Sequence, residues 1–337
     1  MKQIVIISGK GGTGKTVITG AFAALAKNKV MVDCDVDAAD LHLLLQPKIQ
    51  ERHSFRSGLN AVIDKRICQQ CGNCIVVCRF NAISESFTID SVSCEGCAFC
   101  SHICPVQAIK MEKNLAGEWF ISETRFGPLV HARLGIAEEN SGKLVSLVRK
   151  QAKELAEKNG CDWVIIDGAP GIGCPVIASL SDIDCALVVT EPTLSGLHDA
   201  IRVIDVAKHF NVTVKLVINK YDLNPEMSEK IEGYCNKNAI SLIGKIGFDK
   251  SVVEAMVEGK TILEYKDTKV KEEVMKILRD TPKLKKRYVF SFAKHTIKQS
   301  DFWLFSIRKL DTLHLFMVRS IFPKRKRKVS STRSRKG

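Results

Sequence analysis

The glycine-rich loop at residues 9–16, GKGGTGKT, limits what the start of this chain can form. It follows the apolar segment 3–8, precedes a run of small residues, and fits the pattern G-x4-G-K-[ST]. Glycines let backbone N–H groups converge on a phosphate, and the amino terminus of a following helix adds favourable partial charge. The pattern therefore predicts a strand, a phosphate-binding loop and a helix in succession. A glycine turn that binds no ligand is the alternative.

Two lysines lie in this loop. Lys15 is predicted to meet the β- and γ-phosphates of a nucleotide, and Thr16 to offer its hydroxyl to Mg²⁺. Lys10 is not needed for that task, and a solvated loop lysine is its simplest interpretation. The predicted phosphate-binding residues are Gly9, Lys10, Gly11, Gly12, Thr13, Gly14, Lys15 and Thr16.

Short β-branched apolar segments recur along the chain, with helical patterns between several of them. Each segment is typical of a strand buried on both faces. Helical periodicity is found at 144–158 and 197–209. Strands that alternate with helices predict an α/β fold with a mostly parallel sheet. The predicted strands are 3–8, 30–35, 163–168, 185–190 and 214–219.

Acidic side chains follow two of these strands. Asp33, Asp35 and Asp37 come at the end of the second predicted strand, and Asp167 at the end of the third. The carboxyl ends of parallel strands are where α/β sheets bind ligands, so these carboxylates are predicted to lie beside the phosphate site. At least one of the first three is expected to cap the next helix instead.

Eight of the 13 cysteines fall between Cys68 and Cys104, in a region where no long helix is predicted. They form the run C-x2-C-x2-C-x3-C twice. The first residues lack the long apolar segment and cleavage site of a signal peptide, and no transmembrane segment is predicted. We therefore expect a cytoplasmic protein whose clustered cysteines bind metal and form no disulfides. A small domain is predicted to interrupt the α/β fold here.

The doubled run is similar to that of bacterial two-cluster ferredoxins, although Arg79 stands where a proline follows the run. In such proteins the fourth cysteine of each run binds the other cluster. Zinc is the rival metal, but its four-cysteine sites usually come as two separated C-x2-C pairs. Because the insert is too small for a large apolar core, we expect it to be disordered without its clusters. The resemblance implies one [4Fe–4S] cluster on Cys68, Cys71, Cys74 and Cys104, and a second on Cys78, Cys94, Cys97 and Cys100.

From Met1 to about Arg279 the chain resembles P-loop ATPases of the MinD/ParA superfamily that carry an inserted ferredoxin domain. The motif KGGTGKT is similar to their deviant Walker A motif. This resemblance implies that Lys10 reaches the phosphates of the partner's nucleotide in a homodimer that forms on ATP binding.

The same resemblance assigns further roles. It implies that Asp35 positions the attacking water, that Asp167 holds Mg²⁺ through a water, and that Asn219 reads adenine. The implied catalytic residues are thus Lys10, Lys15 and Asp35. Residues 124–133 and 139–143 also look like that group of proteins, and they either couple the insert to the ATPase or simply connect the two.

The predicted domains are a P-loop ATPase in two parts, 1–58 and 118–280, an inserted two-cluster domain at 59–117, and a basic tail at 281–337. Residues 283–337 hold 17 Lys and Arg against 2 Asp and Glu, whereas the rest of the chain holds 34 and 35. The near-neutral body therefore gives no basis for inferring nucleic-acid binding from the net charge of +14. A membrane-surface helix, a polyanion-binding arm and an extension without a selected role stay open for the tail, where we expect low order.

Two functional interpretations remain. In the first, ATP hydrolysis by the dimer gates electron transfer from the clusters to an unidentified redox partner, as in the nitrogenase iron protein. In the second, the protein is an ATP-dependent carrier or scaffold for the assembly of iron–sulfur or metal centres. Spatial positioning, as by MinD itself, does not use eight cluster ligands. Cys174 is interpreted either as an added redox or metal thiol or as a buried small hydrophobe.

Overall fold

The five predicted strands are all present and lie next to one another in a single sheet of nine strands. The structure is a computed structural model that describes residues 1–135 and 141–281. The strands are β1 (Lys2–Ser8), β2 (Lys29–Asp33), β3 (Lys48–Ile63), β4 (Ile109–Thr124), β5 (Gly127–Leu134), β6 (Trp163–Pro170), β7 (Cys185–Thr190), β8 (Thr213–Asn219) and β9 (Ser241–Ile246).

The strand order is β3-β4-β5-β2-β6-β1-β7-β8-β9. All neighbours from β5 to β9 in this order run parallel, and only β4 runs antiparallel to its two neighbours. The prediction of a mostly parallel α/β sheet is therefore confirmed. The carboxyl ends of β1, β2, β6 and β7 meet at one edge, where ligands bind in sheets of this type.

Helices cover both faces of the sheet. Along β1, Ile4 and Ile6 pack into one apolar layer and Val5 and Ile7 into the other, as expected of a strand buried on both faces. The helices are α1 (Lys15–Leu25), α2 (Leu41–Leu45), α3 (Asn73–Val77), α4 (Phe99–Ile103), α5 (Ser141–Lys158), α6 (Cys174–Leu180), α7 (Leu194–His209), α8 (Pro225–Lys237), α9 (Ser251–Val257) and α10 (Lys269–Asp280), with a 3-10 turn at Tyr221–Leu223.

The two antiparallel strands form one long hairpin. Strands β3 and β4 have 16 residues each and pair from Lys48 opposite Glu123 to Ile63 opposite Ile109. Only the half of β4 from Gly117 onward pairs with β5, so the outer half of the hairpin extends past the sheet. The predicted domain boundaries, after residues 58 and 117, both fall inside these strands. The hairpin is thus a continuous connection between the sheet and the cysteine-rich segment.

The cysteine module, residues 59–113, consists of the outer hairpin and the segment that joins its two strands. Helices α3 and α4 have five residues each, in keeping with the prediction of no long helix. They are equivalent members of an internal repeat with an offset of 26 residues. Backbone conformations repeat with the same offset. Asn81 and the equivalent Gln107 both have left-handed backbones, with φ of 50° and 52°.

Several predictions concern parts of the chain without a described structure. The tail from residue 282 onward and residues 136–140 lie outside the described residues, so the interpretations of the tail stay predictions. Within residues 1–135 and 141–281, every helix is too short or too polar to cross a membrane.

Candidate nucleotide and cluster sites

The phosphate loop lies between β1 and α1, as predicted, and other elements fix its backbone. The Ser8 hydroxyl donates to the carbonyl of Lys10 at 2.6 Å, and the Asn219 side-chain amide donates to the carbonyl of Thr13 at 2.8 Å. Gly14 has a φ of +92°, and a Cβ atom there would lie 2.4 Å from Asn219 Nδ2. Asn219 therefore lies at the loop, and glycine is required at position 14 both for conformation and for space.

The predicted magnesium and phosphate ligands converge on one carboxylate. Asp167 accepts hydrogen bonds from the hydroxyls of Thr16 and Thr19, each at 2.9 Å. The ammonium of Lys15 lies 3.9 Å from Asp35 Oδ2, and its side chain is buried. Strand register places Asp33 beside Asp167. The ends of β1, β2 and β6 thus bring Lys15, Thr16, Asp35 and Asp167 together, as the sequence predicts.

Three carboxylates in this site have raised pKa values. Burial, together with the neighbouring Asp167 carboxylate, raises the pKa of Asp33 well above its usual range. Burial also raises the pKa of Asp167, and it raises the pKa of Asp35 to about 6. Asp33 Oδ2 is buried and has no hydrogen-bond partner among the described residues. The unpartnered Asp33 oxygen beside Asp167 fits a divalent cation such as Mg²⁺, which needs only one or two protein carboxylates and keeps several waters.

Lys10 has a partner of its own in this structure. Its ammonium lies 3.3 Å from Oε2 of Glu191, the residue that follows β7. The other oxygen of Glu191 pairs with the ammonium of Lys220, next to Asn219. The side chain of Lys10 is 33% exposed. It therefore lies at the surface of the sheet edge formed by the loop 9–16, Asp35 and Asp167, which we call the nucleotide edge.

The eight predicted cluster ligands line two separate cavities in the cysteine module. The two cavities have similar empty volumes of about 320 and 370 Å³, including their open sides. In each cavity, three thiols come from one run and the fourth from the other run. One cavity is lined by Cys68, Cys71, Cys74 and Cys104, and the other by Cys78, Cys94, Cys97 and Cys100.

Backbone amides point at the fourth cysteine of each run. Ala82 N donates to Cys78 Sγ at 3.4 Å, and the equivalent Ala108 N donates to Cys104 Sγ at 3.2 Å. Amides in this position stabilise thiolate ligands and tune the potential of a bound cluster. Among the described His, Cys, Asp and Glu side chains, no three come close enough together to hold a single metal ion.

Further residues lie around the same edge. Gly171, with a φ of +89°, and Gly168, which packs against Ile7, form the turn after Asp167. Cys174 begins α6 and is exposed, so its interpretation as a buried hydrophobe is wrong. The amide of Phe248 donates to Asp222 at 2.7 Å.

Sequence reasoning missed three contacts at this edge and at the root of the hairpin. Thr19 lies one helical turn after Thr16, and that spacing was a usable signal for a second partner of Asp167. Glu191 is far from Lys10 in sequence and had no motif to mark it. Arg125, in the turn between β4 and β5, donates to the carbonyls of Leu44 and Gly259, and its role needed the tertiary structure.

A glycine loop between a central parallel strand and a helix, next to buried aspartates at neighbouring strand ends, defines a P-loop nucleotide-binding protein. Residues 4–262 match the CobQ/CobB/MinD/ParA nucleotide binding domain, which is most of the chain. The chain belongs to this family and is a P-loop ATPase of the MinD/ParA type.

Individual relatives agree with the family. The chain is similar to an uncharacterized protein of Methanocaldococcus jannaschii, with 35% identity over 288 residues, covering 82% of this chain and 94% of that protein. It is also similar to an iron-sulfur cluster carrier protein of Pyrococcus horikoshii, 28% identical over 293 residues, covering 82% and 83%. Its fold resembles that of the septum site-determining protein MinD complexed with Mg-ADP from the same organism. That similarity has a TM-score of 0.52 at 21% identity and covers 84% of this chain and 96% of that one.

Proposed function

We propose that this chain is an iron–sulfur ATPase in which ATP turnover by a dimer is coupled to electron transfer through two [4Fe–4S] clusters. The observation that carries the proposal is the division of eight cysteines between two cavities, four thiols in each. The nucleotide edge and the cysteine module belong to one chain, and a single hairpin joins them. The functional question is therefore how the two sites communicate.

At the nucleotide edge, the residues divide the work of binding Mg²⁺–ATP. Lys15 meets the β- and γ-phosphates, while backbone amides of the loop from Gly9 to Thr16 surround them. The Thr16 hydroxyl and the Asp167 carboxylate, which are hydrogen-bonded to each other, would hold the magnesium ion, and the ion would stabilise negative charge on the phosphates. Asp35, whose Oδ2 lies 3.9 Å from the Lys15 ammonium, orients the attacking water. Asn219, fixed against the loop by its bond to Thr13, faces the adenine.

Lys10 completes this site from a second subunit. Positive charge placed against the phosphates stabilises the negative charge that develops during hydrolysis. Because the lysine arrives only when two subunits close, turnover requires the homodimer. The exposed position of Lys10 at the nucleotide edge supports this assignment.

In the module, each cavity offers four thiolates to one cluster. Cys68, Cys71, Cys74 and Cys104 hold the first cluster, and Cys78, Cys94, Cys97 and Cys100 hold the second. Clusters of this kind supply one-electron chemistry. Four protein ligands per cluster favour a resident cofactor over a transferable one, and an electron acceptor of this chain is then a separate redox protein.

The fold offers a physical route between the two sites. The segment that carries Asp35 leads directly into α2, and α2 leads into β3. Arg125 binds the end of α2 through two hydrogen bonds to the Leu44 carbonyl, at 2.7 and 3.2 Å. The root of the hairpin is thus hydrogen-bonded to the end of α2, the helix that follows the segment carrying Asp35, which supports coupling between nucleotide state and module.

The second candidate function is an ATP-dependent carrier or scaffold for iron–sulfur or metal-centre assembly. The similarity to the iron-sulfur cluster carrier protein of Pyrococcus horikoshii favours it. It makes a different prediction about the clusters, since a carrier must release at least one of them to an acceptor protein.

Anaerobic purification followed by electron paramagnetic resonance (EPR) tests the proposal. We expect about eight iron atoms per chain and a signal of the reduced clusters that changes on addition of ATP. Cys74→Ser is expected to remove one cluster, whereas Cys161→Ser, outside the module, leaves the iron content unchanged. An EPR signal that ATP leaves unchanged, together with rapid cluster transfer to an apo-ferredoxin, favours the carrier. A chain without iron overturns both functions.

A further inference from the structure

We propose that Glu191 is a positioning residue that holds Lys10 within its own subunit until a nucleotide-loaded partner subunit displaces it. The inference rests on the proposed cross-subunit role of Lys10. It adds a step that precedes hydrolysis, namely release of the lysine from a carboxylate of the same chain.

The position of Glu191 is fixed by a tight turn. It follows β7, which pairs directly with β1, the strand that leads into the phosphate loop. Its carbonyl accepts the amide of Thr193 at 2.8 Å, and Thr193 in turn caps α7 by accepting from the amide of Gly196 at 2.9 Å. A Cβ atom on Gly196 would lie only 2.4 Å from the Glu191 carbonyl oxygen. The backbone here has little freedom, so the carboxylate is held at the loop.

The carboxylate bridges two cations of unequal function. Oε2 lies 3.3 Å from the Lys10 ammonium, and Oε1 pairs with Lys220. The Glu191 side chain is 15% exposed, and each lysine side chain is 33% exposed. Burial acts to raise the pKa of Glu191, but the bonds to Lys220 and Lys10 outweigh it and lower that pKa. Glu191 is therefore a carboxylate at neutral pH and attracts Lys10 away from any position facing outward.

Lys220 lowers the free-energy cost of releasing Lys10 from Glu191. If Glu191 had Lys10 as its sole partner, departure of Lys10 would leave a mostly buried carboxylate unpaired, which is strongly unfavourable. Lys220 remains in place and neutralises it. The Lys10 backbone is held by Ser8, so the side chain can turn toward a partner while the loop stays fixed.

This arrangement predicts that substitutions of Glu191 and of Lys220 change the nucleotide requirement for dimerisation in opposite directions. Glu191→Gln frees Lys10, so dimerisation needs less nucleotide. Lys220→Gln leaves Lys10 as the sole cation on Glu191, so dimerisation needs more. A bridge that only stabilises the fold predicts that both substitutions act in the same direction.

The test measures dimerisation of the anaerobically prepared full chain by light scattering while a non-hydrolysable ATP analogue is titrated. We expect Glu191→Gln to lower the analogue concentration at half-maximal dimerisation by about fivefold and Lys220→Gln to raise it by a similar factor. ADP affinity of the monomers, measured in parallel, corrects for changes in nucleotide binding itself. Midpoints that move in the same direction, or a Glu191→Gln midpoint equal to that of the unsubstituted chain, overturn the proposal.

A second measurement examines Lys10 directly in the nucleotide-free monomer. Acylation of its amine, followed by mass spectrometry, is expected to rise severalfold in Glu191→Gln, while acylation of the exposed Lys27 stays constant. Unchanged acylation of Lys10 also contradicts the holding role. The proposed function fails separately: a Lys10→Ala chain with undiminished turnover removes the cross-subunit role, whereas an inactive Lys10→Ala chain with an inert Glu191→Gln removes only this inference.

Discussion

The sheet and the cysteine module obtain their structure in different ways. Both faces of the sheet are covered by broad apolar layers, to which every central strand contributes. The module has a small apolar cluster in which the buried residues are Ala61, Cys74, Ile83 and Ile109. One of these four is itself a proposed cluster ligand.

The contrast teaches that the two sites differ in how far they exist before their ligands arrive. At the nucleotide edge, strands packed between two apolar layers position Lys15, Asp35 and Asp167. In the module, the ligand cavities themselves occupy the place of a core. When a metal group supplies what the apolar core does not, its binding free energy is also folding free energy.

Removal of iron is expected to have the largest effect, because it tests whether the module, unlike the sheet, depends on a metal group for its fold. An anaerobic chelator is expected to abolish protection of backbone amides from hydrogen exchange across residues 64–108, because little apolar burial remains there. Strands β1, β2, β6 and β7 are expected to keep their protection. Hydrogen exchange measured by mass spectrometry reports both regions in one experiment.

Cys74→Ser and Cys161→Ser provide a matched pair for the same measurement. The first substitution removes a proposed ligand inside the module, and the second a partly buried cysteine outside it. We expect increased exchange in the module for Cys74→Ser alone. A module that stays protected after complete loss of iron would show that its fold does not depend on clusters.

The second prediction alters function at the nucleotide edge without altering the fold. Lys15→Ala is expected to abolish ATP binding, because the buried ammonium faces the phosphates. Lys10→Ala is expected to retain binding but to lower ATP turnover by about 10³-fold, as for loss of a charge supplied from a partner. Nucleotide titration and phosphate release measure the two effects.

Lys27→Ala is the control, since Lys27 is an exposed lysine beyond the far end of α1. Lys10→Ala and Lys27→Ala are expected to unfold at similar denaturant concentrations. If Lys10→Ala hydrolyses ATP at the rate of the unsubstituted chain, the site is complete within one subunit and the dimer is not needed for turnover.

The parts of this molecule that were predictable are those with short-range signals. Buried parallel strands appear as β-branched runs, and the loop 9–16 carries its chemistry in consecutive residues, so both could be read directly. The resemblance of the doubled cysteine run to that of two-cluster ferredoxins implied the grouping into two sets of four, and the same two sets line the two cavities. Helix α7 begins at Leu194, earlier than predicted, because Thr193 caps it.

The parts that were not predictable depend on distant contacts. The hairpin of β3 and β4 was missed because β3 is largely exposed and both strands mix charged with apolar residues, which leaves no continuous buried run to recognise. Glu191 and Lys10 are 181 positions apart, and nothing local distinguishes this glutamate. Spatial pairs of this kind arise from strand order, which the sequence patterns left open.

The third prediction concerns the joint between the two regions, which is the turn between β4 and β5 that carries Arg125. Arg125 donates to Leu44 and Gly259 carbonyls and pairs with Glu264 at 2.7 Å. Arg125→Ala is expected to lower the free energy of unfolding of the sheet by about 2 kcal/mol, since the Leu44 carbonyl loses both bonds from Arg125 and the Gly259 carbonyl keeps only the 3.4 Å bond from Gln46. Iron content is expected to stay unchanged, because the joint lies outside the module. Arg125→Lys, which keeps the charge but loses the fork of donors, is expected to recover part of the stability. Iron loss in Arg125→Ala would show that the module needs the joint.

The smallest predicted effect concerns the free energy of unfolding that is lost through burial of the Asp35 carboxylate at the nucleotide edge. Burial raises the pKa of Asp35 to about 6 in the folded chain. A carboxyl with a raised pKa binds its proton more tightly when folded, so stability falls as pH rises from about 4 to 6. Asp35→Asn removes this loss and is expected to stabilise the nucleotide-free chain at neutral pH by about 1 kcal/mol, allowing for solvent screening. The gain disappears below the ordinary aspartate pKa of about 3.9, where Asp35 becomes protonated in both states, and the exposed Asp37→Asn serves as control in urea unfolding. A less stable Asp35→Asn at neutral pH would mean that attraction to Lys15 outweighs burial, and that the edge is assembled without cost.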